Sequence, residues 1–339
     1  MNEGTWRRFR KRAGARAGLA ALGVLAAVAF LSPLLATDLP LLVSDRSGLH
    51  VPAFAGYPII GRFFEWAPAG EARTIVAAPV PHSPDVISLR ERLEAPSRLH
   101  WLGTDDLGRD VLARLIAAAP TSLSIGLVSA SASMFLGLLL GGLAGAAGGL
   151  ADLAVSRLME IVLCFPAIFF LLALVALWGP SVATLVTAIA LTSWPNEARF
   201  ARGEILKARE LDSTRAARAA GLTPLQIFRS HLLPSAMGPV LISATFGVAS
   251  ATLAEASLSF LGLGVPPPHP SWGGVLALSE AYSDQAWWLA LFPGLAIFAT
   301  VAAYNLIGDA WREALDPRLE IFPGGLFRRG RVAPEEEIA

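Results

Sequence analysis

Charged residues and cysteine are scarce in this 339-residue chain. Asp, Glu, Lys and Arg together make up 16% of it, against about a quarter in ordinary soluble proteins, and 54% of the residues are hydrophobic. This composition excludes a disordered chain and argues against an ordinary soluble enzyme. Basic and acidic residues number 27 each, so the positive excess typical of nucleic-acid-binding proteins is missing. The single cysteine, Cys164, excludes an internal disulfide.

Sequence patterns of several kinds of site are missing as well. There is no G-x-x-x-x-G-K-[ST] phosphate-binding loop, and neither lysine follows a glycine, so we do not expect ATP to bind this chain. A G-x-S-x-G nucleophile motif is also absent from the sequence. The five histidines form no H-x-x-x-H or H-E-x-x-H pair, so we expect no catalytic residue, metal site or cofactor here. They are His50, His82, His100, His231 and His269.

The chain contains five long stretches without any charged residue. A membrane-spanning helix needs about 20 mainly apolar residues. One charge at the centre of such a helix costs about 2.5–3.5 kcal/mol on insertion scales, so charge-free blocks of this length indicate an all-α membrane protein. The blocks are 17–37, 115–151, 161–196, 230–254 and 285–308.

Six spans are predicted from these blocks. The block 161–196 is too long for one crossing, and the turn Trp178-Gly179-Pro180-Ser181 divides it in two. The predicted spans are 17–36, 118–142, 158–178, 181–199, 236–258 and 287–308. They leave an N-terminal segment 1–16, a long loop 37–117, a second long loop 200–235 and a flexible tail 323–339, with a core over 118–320.

Basic residues set the expected orientation, because Lys and Arg concentrate on the cytoplasmic side of membrane proteins. They cluster before the first span, in the second long loop and after the last span, whereas 259–286 has none. An even number of spans puts these three segments and both termini in the cytoplasm. The proline-rich loop 37–117 is then periplasmic, and we expect an irregular cap there. A cleaved signal peptide is the alternative interpretation of the first span.

Glycines recur every four residues at the end of the second span. They are Gly137, Gly141, Gly145 and Gly149. Small residues at this spacing let helix backbones approach closely. Simple helix packing and a moving or pore-lining role both fit the pattern.

The second long loop is the most informative part of the chain. Two short amphipathic helices are predicted in it. The first covers about 212–220, with Asp212 or Ser213 as its N-cap and Gly221 as its C-terminal stop, and the second begins at Thr223-Pro224. A charged helix between two spans either lies on the membrane surface or binds another protein. The alanines of the first helix offer little apolar depth to lipid and suit a groove in a partner.

This loop resembles the EAA loop of ABC-importer permeases, whose pattern is E-A-A, three residues, Gly, nine residues and then I-x-L-P. Arg215-Ala216-Ala217 stands at E-A-A, Gly221 at the glycine, and His231-Leu232-Leu233-Pro234 at the end. The spacing is intact, whereas Arg215 replaces Glu and His231 replaces Ile.

Other segments are similar to the C-type subunit of oligopeptide and dipeptide permeases. They are WLGTDDLGRDVL at 101–112, EASLSFLGLG at 255–264 and GDAWREALDPR at 308–318. The segment TDLPLLV at 37–43, with the long loop after it, is most similar to the Yej-type peptide (microcin C) permease branch. The resemblance covers about 17–320.

The resemblance implies a subunit that forms half of a pore for peptides or peptide-like solutes in the bacterial inner membrane. A second homologous permease, two ATP-binding subunits and a periplasmic or lipid-anchored solute-binding protein would complete the importer, with membrane lipid around it and no nucleic acid. ATP and Mg²⁺ would bind the partner subunits, so this chain would not itself be an enzyme. The coupling helix would contact the ATPase, and the implied site residues are Asp212, Ser213, Arg215, Ala216, Ala217, Arg218, Gly221, Leu233 and Pro234.

Glu255 lies near the end of the fifth predicted span. An ionisable residue in a membrane is by default a functional candidate, so Glu255 would line the solute pathway or a gate. A helix-packing contact near the outer surface is the alternative. A secondary transporter or channel without an ATPase, and a related importer for a non-peptide solute such as nickel, stay open as alternative functions. No catalytic constellation supports an intramembrane enzyme.

Overall fold

The computed structural model describes residues 3–45, 48–57 and 73–315, and helices dominate them. The helices are α1 Glu3–Lys11, α2 Ala13–Leu35, α3 Val111–Ala147, α4 Gly149–Cys164, α5 Ala167–Trp178, α6 Val182–Arg209, α7 Asp212–Ala219, α8 Pro224–Ile227, α9 Leu233–Phe260, α10 Trp272–Tyr282 and α11 Trp288–Leu315. The strands are β1 Leu42–Asp45, β2 Gly48–His50 and β3 Arg73–Val76. The tail predicted at 323–339 lies outside the described residues.

Four helical stretches are long and apolar enough to cross a membrane. They are Ala13–Leu35, Val111–Ala147, Pro224–Phe260 and Trp288–Leu315. The third joins α8 to α9 through a π-helical turn, Phe228–Leu232. A bent pair, α4 and α5, adds a fifth if it counts as one span. The remaining long helix, α6, is apolar at its start but carries charged residues from Glu197 onward.

The prediction of one continuous helix over 158–178 is wrong. Helix α4 ends at Cys164, α5 begins at Ala167, and the two axes meet at 88°. Pro166 explains the break, because it lacks an N–H and disfavours helical geometry at Phe165 before it. The turn predicted at Gly179 is present, and this glycine has a φ of +79°.

The loop predicted at 37–117 ends earlier than expected. Helix α3 begins at Val111 because Asp110 acts as its N-cap and accepts a hydrogen bond of 2.7 Å from the N–H of Ala113. Before it, the described residues contain an antiparallel sheet in the order β2-β1-β3 and short 3₁₀ turns, but no α-helix after α2. The irregular cap therefore includes a small sheet.

Helix α3 packs closely against α6 along the predicted glycine repeat. A methyl group on Gly137 would come within 2.8 Å of the Ala198 nitrogen, and one on Gly141 would come within 2.8 Å of the Ala198 Cα atom. A methyl group on Gly145 would come within 3.0 Å of the Ile205 side chain and 3.1 Å of the Arg202 carbonyl oxygen. Gly149, by contrast, begins α4 with open space beside it. The packing interpretation thus holds for three of the four glycines, and backbone proximity is what requires them.

Contacts between distant segments define the two ends of the helical bundle. At one end, Phe9 of α1 stacks on Trp311 of α11 with 4.4 Å between ring centroids. At the other end, Trp288 at the start of α11 donates through Nε1 to the Thr104 carbonyl at 2.9 Å. The N-terminal segment and the C-terminal end of α11 therefore lie together, opposite the cap.

Helix α2 is packed into the bundle. Gly18 lies so close to α11 that a methyl group there would be 2.8 Å from the Ala303 carbonyl oxygen. Ala15 is fully buried beside Ile307. Such packing favours a retained first span over a cleaved signal peptide.

Candidate functional site

Helix α7, Asp212–Ala219, occupies the place where the sequence predicts a coupling helix. Its N-cap is Leu211, which makes no side-chain cap hydrogen bond, so the prediction of Asp212 or Ser213 as N-cap is wrong. Asp212 is instead the first helical residue, and its side chain is fully exposed. The Leu211 carbonyl closes the first turn by accepting from the N–H of Arg215 at 3.0 Å.

The C-terminal end of α7 is fixed by backbone hydrogen bonds around Gly221. The N–H of Leu222 donates to the Ala217 carbonyl at 3.2 Å, and the N–H of Gly221 donates to the Arg218 carbonyl at 3.1 Å. This pair of bonds is a Schellman motif, which needs a left-handed residue at Gly221, where φ is +82°. The predicted stop at this glycine is therefore present.

Helix α8 begins at the predicted place with a capping box. Thr223 accepts from the N–H of Gln226, and the Gln226 side chain accepts from the N–H of Thr223 at 2.8 Å. Pro224 occupies the first helical position. Helix α8 then continues through the π-helical turn into α9. The second predicted short helix is therefore the start of the long helical stretch that contains α9. Leu233 is half-buried and Pro234 exposed where α9 begins.

Two faces of α7 have different surroundings. The inner face holds Thr214, 1% exposed, and Ala217, 8% exposed. The Thr214 hydroxyl donates to the Ala208 carbonyl at 2.8 Å. The implied site residue Ala217 therefore packs inside its own subunit, in a cluster formed by Ile205, Ala208, Ile227, Leu232 and Ala236.

The outer face of α7 is free of contacts of this kind. Five implied site residues of α7 are exposed, namely Asp212, Ser213, Arg215, Ala216 and Arg218. Ala219 and Ala220 are exposed as well. Small side chains dominate this face, so a flat or grooved partner surface could approach the helix backbone closely.

Arg215, which stands where the EAA pattern has Glu, finds its acidic partners within the same loop. Its Nη2 donates to Glu210 Oε2 at 2.8 Å, and its Nη1 lies 3.9 Å from Asp212 Oδ1. The hydrogen bond from Arg215 lowers the pKa of the Glu210 carboxyl. Nearby, Arg209 donates to the Gly145 carbonyl at 3.0 Å and joins the end of α6 to the end of α3.

Glu255 lies inside the subunit, with 1% of its surface exposed. Its Oε1 accepts from the Ser259 hydroxyl at 2.7 Å. Ser259 and Ser271 border an outer cavity of about 670 Å³, whereas Glu255 is not among the lining residues. Glu255 is therefore enclosed by its own subunit and lies next to this cavity through Ser259, not on its surface.

Glu197, another buried carboxylate, was missed by the sequence analysis. It is 6% exposed, and its Oε2 has no hydrogen-bond partner among the described residues. Gly137 of α3 and Gly247 of α9 make room for it; a methyl group on Gly247 would be 3.4 Å from Glu197 Oε1. Glu197 directly follows the charge-free block 161–196. A buried carboxylate and a solvated helix end are both compatible with that position, so the sequence does not distinguish them.

Comparison with known proteins identifies the family. Residues 137–321 match the family described as the binding-protein-dependent transport system inner membrane component. Residues 3–45 match the N-terminal TM domain of oligopeptide transport permease C.

Two proteins with similar sequences are named as permeases for dipeptides or for di- and tripeptides. The dipeptide transport system permease protein DppC of Alkalihalophilus pseudofirmus is 39% identical over 229 residues, which cover 68% of this chain and 75% of the relative. The di/tripeptide transport system permease protein DppC of Pseudomonas aeruginosa is 43% identical over 228 residues, covering 67% and 75%.

A solved structure of the MetNI methionine ABC transporter in an inward-facing conformation shares the fold. Its chain is 21% identical, with a TM-score of 0.50, and the match covers 60% of this chain and 97% of that one. The family match and the similarity to these relatives show that the chain belongs to the family of inner membrane components of binding-protein-dependent transport systems.

Proposed function

We propose that this chain is one of two permease subunits of an ATP-driven importer of peptides or peptide-like solutes. The family and the relatives named for dipeptide and di/tripeptide transport support this function. The observation that carries the proposal is α7, which presents small exposed side chains on one face and is fixed to two long helices by the other. An ATPase subunit would bind that exposed face.

The proposed topology has six crossings. They are α2, α3, the bent pair α4–α5, α6, α8–α9 and α11. The contact between α1 and the end of α11 supports an even number, because it brings both termini of the helical bundle to one side. Leu315 also lies against Gly238 near the start of α9, which brings the α7 end of the bundle to the same side. The basic residues of these segments make that side cytoplasmic.

Closure of the ATPase subunits would reach the spans through α7. Thr214 joins it to α6, and Ala217 packs in one buried cluster with Leu232 and Ala236 where α9 begins. A short helix held at both ends transmits rigid-body motion. ATP and Mg²⁺ would bind only the partner subunits, and solute capture would belong to a separate binding protein.

The branch of the family and the class of solute are inferred from sequence. The segment 37–43 and the long cap after it support the Yej-type branch, and the peptide names of the relatives favour peptides over nickel. A secondary transporter would need no partner on α7. The exposed small side chains of α7 therefore favour the importer.

The coupling role can be tested by enlarging Ala216 on the exposed face. In Ala216→Trp, the bulky ring should keep α7 out of its groove and weaken ATPase binding by about tenfold or more, a loss of about 1.4 kcal/mol. Co-purification of the ATPase subunits and solute-stimulated ATP hydrolysis should both fall. Ala216→Ser is the matched control, because it keeps the small size.

The outcome against the proposal is equally clear. If Ala216→Trp retains wild-type uptake and ATPase binding, α7 does not couple transport to ATP. Uptake by the chain in proteoliposomes without any ATPase subunit would favour the secondary transporter.

A further inference from the structure

Two histidines and an aspartate meet in the cap, far from α7. They are His82, His100 and Asp110, and each offers one possible ligand atom within 4.8 Å of the others. The imidazole rings lie 4.7 Å apart, centroid to centroid. In the sequence these residues are well separated and form no metal-binding spacing, so only the fold brings them together.

His100 is the most constrained member of the group. Its Nδ1 lies 2.9 Å from Asp110 Oδ2, and the ring is 3% exposed. A proton on Nδ1 would satisfy Asp110 and leave a lone pair on Nε2. That Nε2 has no hydrogen-bond partner among the described residues, although Glu91 Oε2 lies 3.8 Å away. A carboxylate that holds one nitrogen of a histidine is the usual arrangement when the other nitrogen binds a metal.

His82 is arranged in a complementary way. Its Nε2 lies 3.1 Å from the Leu99 carbonyl, so it donates there and leaves Nδ1 as an acceptor. The ring is half-buried and borders a cavity of about 350 Å³, together with Asp110, Trp101 and Arg98. A small ion could reach His82, His100 and Asp110 through this cavity, whereas His100 and Asp110 are otherwise buried.

We propose that this cluster binds a divalent transition metal of the zinc class. His82 and His100 supply imidazole nitrogens, and Asp110 either ligates or orients His100. Glu91, whose Oε2 lies 3.8 Å from His100 Nε2, is placed to supply a further oxygen. Two imidazoles favour zinc-class ions over calcium and magnesium, which prefer oxygen ligands. Ligand bonds of about 2.0–2.1 Å in a tetrahedral site place the ligand atoms about 3.4 Å apart. The ligand atoms here lie within 4.8 Å of one another, so modest side-chain rotations would bring them to that spacing.

The ion would join segments that the chain keeps apart. Val80, two residues before His82, pairs with the end of α2 through a 2.9 Å hydrogen bond from its N–H to the Leu35 carbonyl. Asp110 caps α3. A metal between them connects the first two long helices at the cap, so its binding should stabilise the extracytoplasmic side.

The test is Zn²⁺ binding to the full-length chain, purified in detergent and stripped with EDTA. Equilibrium dialysis with metal analysis should give one Zn²⁺ per chain, and Zn²⁺ should raise the thermal unfolding midpoint. His82→Ala should weaken binding by about tenfold or more and remove the rise in the midpoint. His82 is the residue to change, because it is half-exposed and its loss leaves the Asp110 cap of α3 intact.

The matched control is His269→Ala, which removes an exposed histidine from another loop. It should bind Zn²⁺ like the wild type. The proposal is overturned if the wild type shows no saturable binding at micromolar Zn²⁺. It is also overturned if His82→Ala binds as well as the wild type, since the pair of His100 and Asp110 then serves only to cap α3. Transport assays are not needed for either result.

Discussion

The α3–α6 interface and helix α7 use small residues in opposite ways. At the interface, Gly137 and Gly141 lie directly against the backbone of α6, and no space is left for a methyl group. On α7, Ala216 and Ser213 face outward and contact no other part of the described chain closely enough to bury them. The first set lets α3 and α6 pack closely, whereas the second leaves room for a partner. Small side chains therefore indicate close approach, but only the fold decides whether the approaching surface belongs to the same chain.

The largest effect is expected from Gly141→Ala. Its methyl group would come within 2.8 Å of the Ala198 Cα atom, and backbone on both helices leaves little room for adjustment. Overpacking of this kind costs about 1–3 kcal/mol. The unfolding midpoint in detergent and the yield of monodisperse protein should both drop. Gly23→Ala in α2 is the control, because nothing lies within 4 Å of its added methyl group. Equal behaviour of the two variants would show that α3 and α6 are not interlocked.

A smaller effect is expected from Thr214→Val on the inner face of α7. Valine keeps the shape but loses the 2.8 Å hydrogen bond to the Ala208 carbonyl, which costs about 1 kcal/mol. Hydrogen exchange should increase at the amides of α7, while that of α3 and α6 stays unchanged. Ser213→Ala on the outer face should leave exchange as in the wild type. If both variants behave alike, the inner contact does not hold α7.

The smallest effect is expected from Arg215→Ala. This ion pair with Glu210 is exposed on both sides, so its loss should leave the unfolding midpoint unchanged within error. The lowered pKa of Glu210 means that any stabilisation is complete above the ordinary carboxyl pKa and disappears as the pH falls through the lowered one. Chemical denaturation at neutral and acidic pH checks this. A large loss confined to neutral pH would mean that Arg215 holds the loop together.

Much of the fold could be predicted from charge alone. Charge-free blocks located α2, α3, α9 and α11, since exclusion of charge is what lipid requires of a helix. The helix expected over 212–220 is Asp212–Ala219, because Gly221 offers a left-handed stop that depends only on local sequence. The capping box at Thr223 is equally local.

Other features depended on contacts that the sequence does not reveal. The break at Pro166 was overlooked because the turn at Gly179 already explained the long block. The early start of α3 depends on Asp110, whose capping role is obscured by the acidic and glycine-rich residues around it. Glu197 could not be singled out from its place after a charge-free block, and Ala217 was assigned to the partner-binding helix by its spacing, because the burial of both depends on which helices surround them.

The sequence by itself determined four of the apolar stretches that are long enough to cross a membrane, the short helix that stops at Gly221 and the family that the chain resembles, because these depend on local composition and spacing. Only the tertiary structure decided which face of α7 is free, that Glu255 lies within the subunit, and that His82 and His100 meet beside Asp110. These features arise from segments distant along the chain, and their proximity is set by packing between helices rather than by any local preference.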